Sequence, residues 1–315
     1  MPRGKPKKGR KKNEESAFST AIAHLLSEES AAIRRGALVA LIVAVIGAFG
    51  VIGLRRLEGH VHALNKFDRV QLWIYWEDCP FFLQDNQNAH ILRSLEHEIA
   101  LSASDTVLDG GLAQRVASSL SRPGIGWVRR VNRVVVRPDG RVSINCDFRE
   151  PAAYVEAGKS TCYLVDSEGV RLPGKYAIED CESSSLLMIR GVQEPEPNVG
   201  QAWLGEDLSS GLRLVSLLYQ QPFRDQVASI NVENFGGRVS PRQPHLVMAT
   251  NRPGSRIWWG LPPDDERGIE NSARQKLALL QQLYSETGRI DINQPFVDIR
   301  TYPNSVSIPH APAGT

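Results

Sequence analysis

The chain lacks the short signatures by which most hydrolases and transferases announce themselves. Neither Ser-x-x-Lys nor Gly-x-Ser-x-Gly occurs in its 315 residues, which removes the usual marks of acyl-enzyme chemistry. Its four cysteines contain no Cys-x-x-Cys, so thiol-redox catalysis has no motif to rest on. His97-Glu98-Ile99-Ala100 opens like a zinc-protease helix, but Leu101 stands where the second histidine is required. Gly158-Lys159-Ser160 ends like a phosphate loop, with Ala153 in the place of its first glycine. His60 and His62 would need two further ligands to hold a metal and read as solvated side chains. No metal, cofactor or nucleic acid is expected, and the sequence reads as that of a non-enzyme.

Long apolar runs are also absent, with one exception. Gly36 to Leu54 (GALVALIVAVIGAFGVIGL) holds no charge, no amide side chain and no proline. Nineteen helical residues would reach about 28 Å, close to the hydrocarbon thickness of a bilayer. The first 35 residues carry nine Lys/Arg against four acidic residues; the other 280 carry 28 against 31. This asymmetry predicts a single-pass protein with its N-terminus cytoplasmic and its bulk extracytoplasmic. Arg55, Arg56, Lys66 and Arg69 follow the run closely, so the tail decides the balance. A cleaved signal peptide is the rival, but both its charged and apolar regions would be unusually long. The tail serves as a topology signal, with attraction to membrane lipid as the alternative. Residues 14–33 have helical spacing, suiting a docking helix or an inward extension of the span.

Beyond the span, Val70, Leu72, Ile74 and Trp76 alternate with Gln71, Trp73 and Tyr75, which is strand spacing. Helices are expected at 88–100 and 111–120. A hairpin follows from Val131 to Phe148 around Pro138-Asp139-Gly140. After Pro151 come short strands at 161–165, 170–172, 185–189, 227–232, 246–250 and 256–259. They are interrupted by helices at 207–219 and 269–285, and a last strand runs from Pro295 to Thr301. In the second helix Ile269, Ala273, Leu277, Leu280 and Tyr284 form one stripe, with Gly288 at the expected C-terminal cap. All four cysteines (Cys79, Cys146, Cys162, Cys181) lie beyond the span. An oxidising space would permit two disulfides among three pairings, Cys162 with Cys181 being closest in sequence; free buried thiols are the alternative.

Several segments resemble one family. Arg149-Glu150-Pro151-Ala152-Ala153-Tyr154, followed by Tyr163-Leu164-Val165-Asp166-Ser167-Glu168-Gly169-Val170-Arg171-Leu172-Pro173, is similar to the acidic-Pro junction and hairpin of the bacterial cell-division proteins FtsQ/DivIB. Lys276-Leu277 and Phe296-Val297-Asp298-Ile299-Arg300 resemble that family's late helix and closing strand, in the same order. The resemblance covers residues 66–308. It departs at Asp78-Cys79-Pro80-Phe81-Phe82, at the cysteine count, and in the stretches 191–207 and 235–243.

The resemblance implies an α+β architecture: a cytoplasmic basic tail (1–35), a transmembrane helix (36–54), a β-α-α-β-β POTRA-like domain (66–150), a larger mixed β domain (151–308) and a disordered end (309–315). It implies that the membrane is the inner (cytoplasmic) one. It implies a scaffold of the division septum that binds FtsB-like and FtsL-like single-span coiled-coil proteins and, through them, the septal peptidoglycan synthase. Binding would be by strand addition along Phe296, Val297, Asp298, Ile299, Arg300, Thr301 and Tyr302. Phe296, Asp298 and Arg300 are expected on one face, Val297, Ile299 and Thr301 on the inward one. Two other readings remain. One is a POTRA-bearing envelope transport or assembly component. The other is a peptidoglycan-processing enzyme using Asp264 and Asp265 near Trp259.

Overall fold

The computed structural model describes residues 38–57, 60, 70–85 and 88–300. The chain divides into two units, Met1–Val70 and Gln71–Thr315. In the first, the most apolar 18 residues of α1 (Leu38–Leu57) have a mean hydropathy of 2.5, and the helix is long and apolar enough to cross a membrane. It runs three residues past the apolar stretch, taking Arg55 and Arg56 into its last turn. His62 and the basic tail lie outside the described residues.

The second unit is mixed α+β and holds two sheets. The smaller is built from β1 (Trp73–Glu77), β2 (Val128–Val136) and β3 (Arg141–Phe148), with β3 central, parallel to β1 and antiparallel to β2. Three helices intervene: α2 (Phe81–Gln84), α3 (Ala89–Ile99) and α4 (Leu112–Leu120). The sequence predicts only the last two. The four-residue α2 is too short to show a helical period, though its Leu83 is buried. Ile91, Leu95 and Ile99 of α3 and Leu112, Val116 and Leu120 of α4 meet Val142, Ile144 and Cys146 of β3. The β1 alternation holds as expected: Ile74 and Trp76 pack inward, while Trp73 and Tyr75 stay exposed beneath the Arg141 guanidinium.

The larger sheet runs in the order β11-β10-β9-β8-β7-β4-β5-β6. Its strands are β4 (Pro151–Ala157), β5 (Thr161–Asp166), β6 (Tyr176–Ala177), β7 (Leu187–Arg190), β8 (Val227–Asn231), β9 (Leu246–Thr250), β10 (Arg256–Gly260) and β11 (Phe296–Asp298). One face is covered by α6 (Glu206–Leu218) and α7 (Ala273–Thr287), with Leu208, Leu212, Val215, Leu218 and Leu280 against Val155, Ile189, Ile230, Met248 and Ile257. The short α5 (Ile178–Glu182) follows β6. Cys162 of β5 and Cys181 of α5 form a disulfide, while Cys79 and Cys146 are free thiols.

Three expectations need correction. At 170–172 there is no strand but only isolated bridges, Arg171 with Val165 and Val170 with Ala202. β4, which pairs with both β5 and β7, is absent from the sequence reading. Ala153 and Val155 do alternate into the core, but a proline start and three alanines weaken the strand signal. The last helix starts at Ala273, not Ile269. Ser272 caps it, accepting from Gln275 N–H while the Gln275 side chain accepts from Ser272 N–H. Ile269 lies before the cap and is 78% exposed. Gly288 ends the helix in the left-handed conformation (φ 73°), as its position predicts.

The family-like hairpin has a structural explanation. Asp166 Oδ1 accepts from the Glu168 and Val170 N–H groups, and Gly169 takes φ 76° to close the turn. Arg149, between β3 and β4, reaches Asp166 Oδ2 at 2.5 Å and Glu168 at 3.2 Å. The side chains of the turn therefore hold the passage from one sheet to the other. Leu164 and Leu172 also join the apolar cluster of the smaller sheet.

Candidate functional site

β11 pairs with β10 in parallel register, Arg256 opposite Phe296, Ile257 opposite Val297 and Trp258 opposite Asp298. Arg256 N–H donates to Pro295 O at 3.0 Å and Ile299 N–H to Trp258 O at 3.5 Å. Alternation along a strand then turns the N–H and C=O of Phe296 and Asp298 away from β10. Among the described residues no strand lies beyond β11. These main-chain groups are the template of a sheet edge.

A three-residue strand would be a weak edge if nothing held its ends. Here both ends are pinned by buried polar side chains. At the entrance, Gln226 receives Ile290 N–H at 3.0 Å and donates to Gly288 O at 2.8 Å. The Asp291 carboxylate, fully buried, accepts from Thr250 Oγ1 at 3.0 Å and from Arg289 Nη2 at 2.7 Å. The Arg289 guanidinium is the main reason that carboxyl lies far below the usual carboxylate range. Ser255 Oγ donates to Gln294 O at 2.9 Å. At the exit, Asn271 donates from its backbone to Arg300 O at 2.9 Å and from Nδ2 to Ile299 O at 3.0 Å.

Behind that exit lies a buried ion cluster. Lys276, on the first turn of α7, is fully buried; its Nζ sits 2.6 Å from Glu270 and 3.7 Å from Glu266, and 5.0 Å above the Trp259 ring. Glu270 Oε1 also receives Leu261 N–H at 2.7 Å. Burial pulls the ammonium below its ordinary range despite the Glu270 hydrogen bond. The cluster ties the α7 cap, the end of β10 and the Asn271 clasp together.

The side chains divide as expected, with one correction. Val297 and Ile299 point inward and are fully buried. Phe296 lies 4.9 Å from the Trp258 ring, and the Arg300 guanidinium covers the same ring at 4.9 Å. Asp298 belongs to that face in register, yet it is only 8% exposed. Its oxygens are taken by Arg300 Nε at 2.9 Å and Nη2 at 2.7 Å, which raises the Arg300 pKa. It is a brace rather than a presented charge. Thr301 and Tyr302 lie outside the described residues. Trp258 and Trp259 face opposite sides, as strand geometry predicts; Trp259 is buried, and Trp258 borders an open depression of about 390 Å³ with Val247, Ala249 and Arg256.

The pins were hard to find in the sequence. Asn271 and Asp291 stand in loops, Gln226 ends a single 3-10 turn (Arg224–Gln226), and Lys276 interrupts an apolar stripe as a surface residue would. Ser272-x-x-Gln275 is a capping signal that the sequence reading did not use, and Lys276 entered that reading only through the Lys276-Leu277 resemblance.

The carboxylates considered for catalysis are engaged separately. Asp265 pairs with Arg213 at 3.0 Å, while Asp264 sits in a turn at φ 70°. In the acidic stretch around Cys181, Glu182 pairs with Arg190 at 2.5 Å. Among the described residues no three His, Cys, Asp or Glu side chains are grouped to hold a metal ion. No protein-family profile matches the chain, and no curated protein matches it.

Proposed function

We propose that this protein is a membrane-anchored, non-enzymatic scaffold of the bacterial division septum, of the FtsQ/DivIB type. On this reading residues 66–150 are a POTRA-like domain close to an inner membrane, with the bulk of the chain extracytoplasmic. The β domain takes an extended segment of a small single-span coiled-coil protein, FtsB-like or FtsL-like, as an added strand on β11. The partner in turn couples to septal peptidoglycan synthesis. The observation that carries the reading is the end position of β11, with the main-chain groups of Phe296 and Asp298 turned outward beside the Trp258 ring. Main-chain pairing would supply affinity, and the Trp258–Phe296–Arg300 surface would select side chains.

The register also chooses the test. Val297 and Ile299 N–H groups face β10, so proline there would damage the sheet itself. Phe296→Pro removes an outward N–H instead, and Phe296→Ala controls for the lost ring. Tagged full-length protein is purified in detergent from its own membranes. Small coiled-coil single-span proteins should accompany the wild type, fall a few-fold with the alanine variant and fall at least tenfold with the proline variant. Recovery undiminished in both variants would move the site elsewhere. Recovery of transport or outer-membrane assembly components alone would overturn the septal reading.

A further inference from the structure

Two cysteines take no part in the disulfide or in the edge. β1 runs parallel to β3 with Glu77 opposite Asn145. The chain then turns at Asp78 (φ 52°), whose carboxylate accepts from Asn145 Nδ2 at 2.9 Å. Cys79 follows Asp78 outside the strand, and Cys146 follows Asn145 within β3. Cys146 is 5% exposed and belongs to the apolar cluster of the smaller sheet, and Cys79 packs against the same cluster from a half-buried position. Gln84 Nε2 holds this turn by donating to Cys79 O at 2.7 Å. A half-buried thiol just past the end of β1 and a buried one in β3 thus pack against the same apolar cluster, on either side of the Asp78–Asn145 hydrogen bond. The same chain carries Cys162–Cys181 as a disulfide, so an environment that oxidises one pair also bears on the other.

We propose that Cys79 and Cys146 are a second disulfide-forming pair, closed by a disulfide-bearing oxidant and fastening the β1 turn to the central strand β3. The Cys79 thiolate attacks one sulfur of the oxidant's disulfide; that S–S bond breaks, one oxidant thiolate leaves, and a mixed disulfide forms on Cys79. The Cys146 thiolate then attacks Cys79 Sγ, forming the Cys79–Cys146 bond and releasing the second oxidant thiol. Two electrons pass to the oxidant, and the two protein thiol protons end on the oxidant's two sulfurs. Burial pushes the Cys146 thiol up to about 12, with Asp147 and Cys79 adding to the shift, and burial raises Cys79 as well. Closure is therefore slow at neutral pH and speeds up with pH.

The test uses the full-length protein in detergent, reduced and then moved into a buffer of glutathione and glutathione disulfide. Samples are alkylated without reduction, digested and read by mass spectrometry. A linked peptide joining Cys79 to Cys146 is expected, its formation accelerating about tenfold per pH unit. The link should persist in Cys162→Ser/Cys181→Ser, and in Cys79→Ser the remaining Cys146 should take the alkylating reagent once the chain is unfolded. Alkylation of both Cys79 and Cys146 while Cys162–Cys181 stays closed would overturn the proposal. So would a glutathione adduct on Cys79 that never resolves.

Discussion

The two ends of the eight-stranded sheet solve the same problem in opposite ways. At the β6 end the last strand has two residues, and α5 follows it at once. Met188 packs there with the Cys162–Cys181 disulfide, and Tyr154, Tyr176 and Ile178 close around them, forming a small second core on the sheet's outer face. At the β11 end the last strand is held by Gln226, Asp291, Ser255 and Asn271. Its outer face carries Phe296 and Arg300 against the Trp258 ring of β10. A covalent staple and a helical cover make one edge poor in free main-chain groups. Polar pins make the other rigid while leaving such groups turned outward. On the proposed reading this matters, because an edge that is ordered before a partner arrives loses no affinity to ordering on binding.

The comparison breaks most severely at Lys276. Lys276→Ala would leave Glu270 and Glu266 largely buried (side chains 15% and 8% exposed) without their cation, a loss of about 3–5 kcal/mol. Denaturant unfolding of the full chain measures it. Lys276→Met with Glu270→Gln removes both charges and should recover a large part of that loss. If Lys276→Ala unfolds like wild type, the ion cluster does not support the open edge.

The stapled end comes next. Cys162→Ala/Cys181→Ala frees a loop with a sequence separation of 19, worth about 3 kcal/mol in the chain-entropy account. Partner recovery should not change, because the staple sits at the opposite end of the sheet from β11. A loss of binding without a loss of folding would show that the two ends are coupled.

A smaller effect is expected at the entrance pin, and it depends on pH. The Asp291 carboxyl has a folded pKa well below its ordinary 3.8, chiefly through Arg289. An acid with a depressed folded pKa contributes stability that is complete above the unfolded value and is lost as pH falls through the window beneath it. Asp291→Asn should cost about 2 kcal/mol near neutrality. It should also flatten the decline of stability below pH 4. Melting profiles of the two proteins that run parallel down to pH 2 would remove Asp291 from this role.

These residues also mark what the sequence could and could not show. The strands β9 and β10 and the α3 stripe were legible because they alternate or repeat over several residues, and tertiary packing agreed with the pattern. Val297 and Ile299 were legible for the same reason. β4 was not, because an alanine-rich strand starting in proline carries little local preference. The pins lack any local signature: Asn271 and Gln226 matter only because the fold brings Ile299 and Ile290 to them. Asp298 was placed on the right face but in the wrong role, since a sequence cannot reveal that Arg300, two residues on, would neutralise it.

The smallest stability effect, and the sharpest separation of the two edges, is expected from the aromatic pairs. Phe296 on Trp258 at 4.9 Å and Tyr154 on Tyr176 at 5.5 Å are each worth about 1 kcal/mol beyond the area they bury. Tyr176 belongs to the small core beside the disulfide, so Tyr176→Ala should lower stability through lost packing and leave partner recovery intact. Phe296 stands on the open face, where its ring rests on Trp258 but its main chain is fixed by β10 and by the pins. Phe296→Ala should therefore shift the unfolding midpoint slightly and weaken a bound partner a few-fold, through the missing ring alone. Phe296→Pro should add the larger loss that belongs to the main chain. If the alanine and proline variants weaken binding equally, side-chain contact rather than strand pairing holds the partner, and the open edge is a surface rather than a template.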